Sequence, residues 1–217
     1  QFAMKAPGMV HELGLNGRFL NNALQLTSSI FHYDYSQMQK SGVVNSQMLT
    51  TNTGNATIDG LELSSRYRLS DAGKINVSLG LLEAKYKKYI TPNGTDYSGR
   101  KLDKTPGVTL NVAYTHNWNL ASGAALTGYF GSKYSASYVT TDTGTLTAAP
   151  IQFKQDAFTK SNASLTYYSA DGALDVQLYV KNIENKSQLM GSVAFFGSNY
   201  GYMSEPRTFG LRSTFRF

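Results

Sequence analysis

Residues 207–217 decide the class of fold, and they read Arg207-Thr208-Phe209-Gly210-Leu211-Arg212-Ser213-Thr214-Phe215-Arg216-Phe217. In an extended chain, one face of this segment carries Phe209, Leu211, Ser213, Phe215 and Phe217. The opposite face carries small, polar or cationic residues. A period of two over the whole segment predicts a β-strand with one apolar and one polar face.

Eight further segments repeat the alternation along the chain. Six are regular: 12–19, 61–68, 75–81, 108–117, 162–168 and 174–181. Two more, near 23–36 and 124–138, alternate less regularly. No segment long enough to form a helix shows the i, i+3, i+4 spacing of apolar residues that would predict one. The pattern therefore predicts an all-β chain with about nine antiparallel strands.

The connections between these segments alternate strictly between short and long. The short ones are rich in Asn, Asp, Ser and Gly, as tight turns are, and they are 20–22, 70–73, 120–123 and 169–172. The long ones lie near 37–57, 88–106, 139–157 and 183–206. Soluble β-sandwiches need not follow this rule. Transmembrane β-barrels of the bacterial outer membrane do, with short periplasmic turns and long extracellular loops.

The composition supports a membrane strand protein and argues against other classes. Only 16% of the 217 residues are charged, 12% are aromatic, and no apolar run approaches the roughly 18 residues that a membrane-spanning helix needs. With no Cys, neither a disulfide nor a thiolate metal site is expected. The net charge of +6 comes from dispersed cations rather than a basic block, so no nucleic-acid partner is expected.

The ionisable residues do not form a recognisable catalytic or metal-binding motif. The three histidines, His11, His32 and His116, lie in separate segments without a carboxylate at ligand spacing. His116 stands beside Trp118 near a short turn, where amphipathic rings suit a membrane interface. Asp34 follows His32 in a Tyr-rich strand end, a typical girdle position. We therefore expect no enzyme, no catalytic residue, no cofactor and no metal site.

Several cations stand in the middle of predicted strands, on the face opposite the apolar one. They would be unfavourable in an apolar core, but in a wide polar lumen they are hydrated or paired. The residues predicted to face the lumen are Arg66, Arg68, Lys181, Arg212 and Arg216.

Several motifs are similar to those of a known family. The first is Asn182-Ile183-Glu184-Asn185-Lys186, followed by a Gly- and Tyr-rich loop and by Pro206-Arg207-Thr208. The second, Asn55 to Leu63, resembles an Asn-Ala-x-x-x-Gly-x-Glu-Leu entry to a strand. Together they resemble the C-terminal β-barrel part of TonB-dependent outer-membrane receptors, over essentially the whole chain.

The resemblance implies a barrel of about 22 strands around a plug domain. Residues 1–217 would be a C-terminal section of about nine strands, with the plug domain and the N-terminal strands absent. The family imports scarce, bulky solutes such as ferric siderophores across the bacterial outer membrane, with energy coupled through TonB. Expected partners are outer-membrane lipid, TonB and the plug through the missing N-terminal part, and the barrel assembly machinery, for which Phe217 would be the C-terminal signal.

The predicted outer loops are rich in aromatic and cationic side chains, which suit an anionic metal chelate. The candidate ligand contacts are Tyr97, Arg100, Phe153, Phe196, Tyr200 and Tyr202. Lys101 and Lys154 stand beside two of these residues. The same aromatic residues could instead anchor the rim of the barrel, and the sequence leaves both interpretations open.

Two other functions stay open at this point. The first is a small self-contained outer-membrane barrel with a structural or adhesin role, in which the two edge strands would pair with each other. The second is a soluble ligand-binding β-barrel, which would stay in the aqueous phase without detergent. Nine strands of a larger barrel would leave two unpaired edges, so we expect residues 1–217 alone not to form a stable monomer.

Overall fold

A computed structural model describes residues 8–44, 47–90, 94–142, 152–195 and 198–217. The described chain is all β, and none of it forms a helix long and apolar enough to cross a membrane. Its strands are β1 (Gly8–Phe19), β2 (Leu24–Val44), β3 (Gln47–Arg68), β4 (Gly73–Tyr89), β5 (Val108–Asn119), β6 (Ala125–Ser135), β7 (Tyr138–Asp142), β8 (Gln152–Gln155), β9 (Phe158–Tyr168), β10 (Leu174–Lys181), β11 (Leu189–Phe195), β12 (Ser198–Met203) and β13 (Thr208–Phe215).

Nine of these strands form one antiparallel sheet, in the order β1-β2-β3-β4-β5-β6-β9-β10-β13. Each of the nine segments with alternating residues contributes one of them, so the prediction of about nine antiparallel strands is confirmed. Two small hairpins, β7–β8 and β11–β12, are inserted between strands of the large sheet. The large sheet follows the up-and-down connectivity that tight turns between antiparallel neighbours produce.

The register aligns the apolar residues of neighbouring strands on one face. One row crosses five strands through direct partners: Leu13, Ile30, Leu61, Leu81 and Val108. Another crosses the last three strands of the sheet through Leu165, Leu178 and Leu211. A slip of one residue in any strand would turn its apolar residues to the opposite face. The alternation that defines each strand therefore also fixes how the strands pair.

The apolar face is not covered by another layer of the described chain. Leu13 is 75% exposed and Leu211 is 65% exposed, and most of the exposed large apolar side chains belong to this face. A soluble sandwich would pack these side chains against a second sheet. An uncovered apolar face of this extent is stable only against a nonaqueous surface, as in a transmembrane barrel.

The opposite face of the sheet is polar. One of its rows runs through Asn16, Thr27, Ser64, Ser78 and Asn111. Three shallow cavities, of about 320, 320 and 360 Å³, open along this face. A polar face opposite an exposed apolar face is what the wall of a transmembrane barrel with a wet interior requires.

The cations predicted to face the lumen lie on this polar face. The register puts four of them on the polar face of the sheet: Arg66, Arg68, Lys181 and Arg212. The Arg66 Nε donates to Asn76 Oδ1 at 3.1 Å. Arg216, just beyond β13, pairs with Asp175 at 2.5 Å. That these residues face a lumen in the membrane stays a prediction.

The two outer strands of the sheet have one neighbour each. In the described residues, β1 pairs with β2 and β13 pairs with β10, and β1 and β13 do not pair with each other. Both strands therefore present free backbone N–H and C=O groups along one side, which in a membrane must be satisfied by further strands.

The short turns are confirmed, but one long link is not a loop. Each short turn joins the ends of two adjacent strands, and Leu20, Asn21 and Asn22 all have positive φ in the first of them. The predicted link at 37–57 was wrong, because β2 and β3 continue through most of it as a hairpin of 21- and 22-residue strands. Strands of this length exceed the roughly 9–11 residues that cross a bilayer.

The long hairpin was missed because the sequence of its outer part does not alternate regularly between apolar and polar residues. Beyond the membrane both faces of a strand meet water, so the two-residue period of hydrophobicity disappears. Bulges also interrupt the register, between Tyr35 and Gln39 on β2 and between Asn55 and Ala56 opposite β4. A Cβ at Gly54 would lie 1.6 Å from the Lys88 carbonyl oxygen, so this close approach requires glycine.

Candidate functional site at the outer ends of the strands

Buried aromatic residues cluster at the end of the sheet opposite the short turns. Tyr86 and Tyr89 of β4 pack with Tyr97 of the following loop and with Ala56 of β3. The Tyr86 and Tyr89 ring centroids are 4.6 Å apart, and Tyr89 meets Tyr97 edge-on at 5.5 Å. In the described residues this is the main cluster of buried apolar side chains. The core of this chain therefore lies in its outer rim rather than beneath its sheet.

Arg100 is held above this cluster. Its guanidinium carbon lies 4.0 Å from the centre of the Tyr97 ring, a cation–π contact. The backbone fixes the same geometry, since the Tyr86 N–H donates to the Arg100 carbonyl at 2.9 Å and the Arg100 N–H donates to the Tyr97 carbonyl at 3.2 Å. The position of this cation is therefore set by backbone pairing and by a buried ring.

The loop that carries Arg100 is closed by a hydrogen-bonded turn. The Asp96 carboxylate accepts hydrogen bonds from the Ser98 hydroxyl at 2.5 Å and from the Ser98 N–H at 2.8 Å. These bonds to the ionised form hold the pKa of Asp96 below its ordinary value. The Ser98 hydroxyl oxygen also accepts from the Tyr89 N–H at 3.1 Å. The turn thereby links the loop to the end of β4.

A basic pocket of about 440 Å³ lies beside this loop. We call it the rim pocket, and its lining residues are Arg100, Lys101, Ser137, Tyr138, Val139 and Lys154. Two segments far apart in sequence meet there, because the Lys104 N–H donates to the Val139 carbonyl at 2.7 Å and so joins the loop to β7. The pocket brings Arg100 and Lys101 of the loop close to Tyr138 and Lys154 of the β7–β8 hairpin.

The wall of the rim pocket formed by β7 and β8 is fixed to the last outer hairpin. The Gln188 Nε2 donates to the Tyr138 hydroxyl at 3.0 Å, and the Leu189 N–H donates to Gln155 Oε1 at 2.5 Å. The hydroxyls of Thr140 and Ser192 are 3.1 Å apart. These three contacts connect the β7–β8 and β11–β12 hairpins into one unit.

The structure distributes the predicted ligand contacts over different environments. Arg100 lines the rim pocket, and Tyr97 supports it from below at 2% exposure. Phe153 is half-buried beside Lys154 and is not in the lining. Tyr200 and Tyr202 are exposed on β12, and Phe196 lies outside the described residues. The sequence left open whether these aromatic residues contact a ligand or anchor the rim of the barrel. Tyr97 lies where a residue that anchors the rim would lie.

Sequence reasoning did not find Tyr138 or the convergence of the cations. Tyr138 stood at the end of an irregular segment and had no charged neighbour to mark it. Arg100 and Lys101 were visible as one basic pair and Lys154 as a separate cation. No local pattern indicates that a loop and a distant hairpin share a wall, because that contact depends on tertiary pairing.

The segment from Asn182 to Lys186 has a structural role in this geometry. Asn182 is 5% exposed and has a φ of 52°. Its Oδ1 accepts from the Lys186 N–H at 2.9 Å, and its Nδ2 donates to the carbonyls of Lys186 and Glu205, both at 3.1 Å. The Asn182 N–H donates to Asn162 Oδ1 at 3.0 Å. This side chain closes the turn after β10 and ties it to the approach to β13.

Two neighbours complete the same turn. Burial tends to raise the pKa of Glu184, but hydrogen bonding from Ser161, including a 2.7 Å bond from its N–H, outweighs burial and leaves that pKa below its ordinary value. Asn185 Oδ1 accepts from the Arg207 N–H at 3.0 Å, and the Arg207 guanidinium donates to the Ile183 carbonyl at 3.2 Å. The turn therefore positions the start of β13.

The histidines take up strand and interface positions. The His32 Nδ1 lies 2.7 Å from Asp59 Oδ1, while Asp34 pairs with Lys87 at 3.0 Å. His32 and Asp34 are thus not partners of each other. In the described residues there is no group of three or more His, Cys, Asp or Glu side chains that could hold a metal ion.

His116 belongs to an aromatic group at the opposite end of the sheet. Its ring lies 4.5 Å from that of Trp118, and the Tyr114 hydroxyl is 2.8 Å from its Nδ1. All three residues continue the apolar face of β5 towards the short turns. This arrangement matches the aromatic belt expected where such a face reaches the membrane–water interface.

A protein-family model matches most of the chain. Residues 10–183 match the model described as TonB dependent receptor-like, beta-barrel. The chain is also 26% identical over 219 residues to the probable TonB-dependent siderophore receptor PiuA of Acinetobacter baumannii. That alignment covers 95% of this chain and 26% of PiuA, so the chain spans about a quarter of that relative's length.

Solved structures with the same arrangement of strands include three siderophore receptors. The ferric yersiniabactin uptake receptor FyuA from Yersinia pestis has a TM-score of 0.76 at 16% identity, over 97% of this chain and 30% of FyuA. The siderophore receptor PiuA from A. baumannii has a TM-score of 0.73 at 21% identity, over 96% and 28%. The ferric-catecholate import receptor Fiu from E. coli K12 has a TM-score of 0.69 at 19% identity, over 97% and 27%. These likenesses show that the fold is shared.

Proposed function

The chain belongs to the family of TonB-dependent receptor-like β-barrels, and from this premise we propose that it is part of an outer-membrane receptor that imports a ferric siderophore. The observation that carries the membrane location is the uncovered apolar face of the nine-stranded sheet. Its rows of Leu, Ile and Val are aligned by register and exposed, whereas the opposite face is polar. Lipid on one side and water on the other satisfy both faces.

The family supports a larger assembly than the described sheet. We propose that residues 1–217 form a C-terminal section of the barrel, and that the remaining strands and a plug domain belong to the rest of the protein. The free sides of β1 and β13 support this, because a closed barrel needs partners for both. Energy would reach the plug through TonB, and Phe217 would be read by the barrel assembly machinery.

Ligand capture is proposed for the outer rim. Arg100, Tyr200 and Tyr202 lie there and combine a fixed cation with exposed aromatic rings. Such groups bind anionic aromatic chelates through charge-assisted hydrogen bonds and stacking. The relatives named above are transport receptors, which supports transport rather than enzymatic catalysis. No observation favours the self-contained barrel, since β1 and β13 are not paired with each other in the described residues.

Iron-limited growth tests this function. A strain without the gene for this protein should lose growth on at least one ferric siderophore supplied as the only iron source. The gene should restore growth and uptake of radioactive iron, and it should fail to do so in cells without TonB. Unchanged uptake of every chelate, or recovery of the protein in the aqueous fraction without detergent, would contradict the proposal.

A further inference from the structure

Three cations are grouped on the polar face of the sheet, next to the short turn that joins β3 to β4. Arg66 and Arg68 are two residues apart on β3, so their side chains share this face. Lys74 of β4 is the direct partner of Arg68 and lies on the same face. We call Arg66, Arg68 and Lys74 the turn-end cluster. All three residues are exposed, and they line one cavity of about 360 Å³.

The sheet does not neutralise the turn-end cluster. Arg68 and Lys74 stand directly opposite each other, and like charges in opposed positions are destabilising. The Arg66 Nε donates to the neutral amide oxygen of Asn76 at 3.1 Å. Asp71 is the single acidic residue among those that line the cavity. Among the residues that the structure describes, neither Asp71 nor any of the three cations takes part in an ion pair.

Another cation at the same end of the same face is neutralised within the sheet. Arg216 lies beside the short turn between β9 and β10 and pairs with Asp175 at 2.5 Å. By contrast, Glu62, the nearest acidic residue on the polar face of β3, is four residues from Arg66 in sequence. That separation is roughly 13 Å along an extended strand, which is too far for an ion pair. The uncompensated positive charge is therefore a property of the turn-end cluster and not of every cation on this face.

We propose that the turn-end cluster is a docking surface for carboxylate side chains of the plug domain. This inference rests on the proposed function, in which the plug lies inside the barrel and belongs to the rest of the protein. A plug against this wall removes water from the cations, and a dehydrated cation without a partner is strongly unfavourable. Carboxylates of the plug supply the partners that the sheet lacks. Each arginine donates two hydrogen bonds to one carboxylate, and Lys74 contributes a point charge.

The composition of this cavity favours protein carboxylates over an organic solute. The described residues that line it include no aromatic and no large apolar side chain, whereas sites for small organic molecules are mostly apolar and aromatic. The alignment with PiuA covers only 26% of that relative, so in a protein of that length most of the chain lies outside the matched region. Inorganic phosphate shares the anionic chemistry of a carboxylate, so the experiments must distinguish these two sources.

The first test is zero-length crosslinking of the full-length receptor in its membrane. A water-soluble carbodiimide joins a lysine amine to a carboxylate only where the two groups are in contact, and mass spectrometry identifies the joined peptides. The peptide that contains Lys74 should be joined to an Asp or Glu of the plug domain. Lys74→Arg keeps the charge but removes the amine, so this product should disappear. Arg68→Lys introduces a second amine, which should give a new product with the plug.

The second test measures how firmly the plug closes the lumen. Full-length Arg68→Gln, Lys74→Gln and the double variant are inserted into planar lipid bilayers, where ionic conductance reports displacement of the plug. Each single change should raise the conducting fraction about tenfold, as the loss of one charge-assisted hydrogen bond predicts, and the double variant should conduct more than either. Arg216→Gln is the matched control, because Arg216 is paired within the sheet. It should stay within about twofold of the parent.

Failure of the docking surface and failure of the proposed function give different results. If the parent imports iron but Lys74 is joined only to carboxylates of the barrel, and the glutamine variants conduct like the parent, docking at the turn-end cluster is overturned while the receptor function stands. If inorganic phosphate protects Lys74 from an amine-acetylating reagent and no plug residue is joined to it, the cluster binds free anions and the inference is overturned as well. If Lys74 is joined to the plug but no ferric siderophore supports growth, docking is supported and the proposed solute is wrong.

Discussion

The guanidinium carbon of Arg100 lies 4.0 Å from the centre of the Tyr97 ring, and that ring is almost fully buried. Tyr97 in turn contacts Tyr89 edge-on, so the cation rests on the aromatic core of the outer rim. Among the residues whose burial the structure describes, the most buried large side chain therefore lies beneath a cation rather than inside a globular core. Loss of the ring should affect the loop and the cation together.

We expect Tyr97→Ala to loosen residues 94–104 without unfolding the sheet. Removing a buried aromatic side chain lowers stability by about 3–5 kcal/mol. Here the loss should affect the loop of residues 94–104 rather than the whole sheet. Limited proteolysis with mass spectrometry should show cleavage within this loop before cleavage elsewhere. Tyr200→Ala, a change of the same kind at an exposed tyrosine, should leave the cleavage pattern unchanged. Equal resistance of the Tyr97 variant and the parent would contradict the role of the ring.

The membrane assignment predicts opposite outcomes for two adjacent residues of β10. Leu178 is on the apolar face, between Leu165 and Leu211, whereas Gln177 is on the polar face beside Thr166. Leu178→Arg should destabilise the full-length protein in lipid vesicles by about 2–4 kcal/mol if it lies near the bilayer midplane. Gln177→Arg should cost about 1 kcal/mol or less, since it loses one hydrogen bond. Denaturant titration measures the free energy of unfolding of both variants, and equal losses would contradict the assignment of the apolar face to lipid.

The turn between β9 and β10 should be sensitive to acid. The Ser169 hydroxyl donates to Asp171 Oδ1 at 2.5 Å and the Ala173 N–H donates to the same atom at 3.0 Å. These hydrogen bonds, led by that of Ser169, hold the pKa of Asp171 below its ordinary value. Because the pKa is lower in the folded state, the stabilisation is fully present above the unfolded value and is lost as pH falls through the folded one.

Asp171→Asn should therefore lower the thermal midpoint at neutral pH, and the difference from the parent should shrink as the pH falls below the ordinary pKa of an aspartate side chain. Ser169→Ala removes the main cause of the shift, so it should move the loss of stability to higher pH. Thermal unfolding of the full-length protein over a pH series measures both effects. A difference that stays constant over the whole series would show that the carboxylate has no part in it.

The nine strands of the sheet could be predicted because the membrane imposes a simple pattern on them. Alternate residues meet lipid or water, so segments such as 174–181 and 207–217 show a period of two without any tertiary information. The register follows from the same pattern, since Leu165, Leu178 and Leu211 must share one face. Short turns rich in Ser, Asp and Gly mark where these strands end.

The outer rim could be predicted only in part, because it lies beyond the layer that creates this pattern. The hairpin extension of β2 and β3, and the β7–β8 and β11–β12 hairpins, show no regular two-residue alternation in sequence. Arg100 was found by composition, but Tyr138 is brought to it by pairing between Lys104 and Val139. Contacts of this kind join residues far apart in sequence and leave no local periodicity.

The free sides of β1 and β13 predict the behaviour of residues 1–217 when they are expressed alone. Their unpaired backbone groups should recruit other strands, so the chain should associate or aggregate in detergent rather than form a stable monomer. Size-exclusion chromatography with light scattering measures the outcome. A compact monomer whose migration on a gel changes on heating would show that the two edges satisfy each other.

In the turn formed by Asn182 to Lys186, replacement of Asn182 should reduce the free energy of unfolding more than replacement of any other residue. Its side chain makes three hydrogen bonds while almost fully buried, and its backbone has a left-handed φ of 52°. In Asn182→Ala, the carbonyls of Lys186 and Glu205 lose a donor, and alanine tolerates the left-handed conformation less well than asparagine. We expect a destabilisation of about 2–4 kcal/mol from these two effects combined.

The comparison with Asn182→Gly separates the two effects, because glycine removes the hydrogen bonds but accepts the positive φ. The glycine variant should therefore be about 1 kcal/mol more stable than the alanine variant, and still less stable than the parent. Lys186→Ala is the control within the turn, since the bonds between Lys186 and Asn182 use the Lys186 backbone. Denaturant unfolding in lipid measures all three variants. If Asn182→Ala matched Lys186→Ala, the turn would not depend on the Asn182 amide, and the start of β13 would have to be positioned by Arg207 and Asn185.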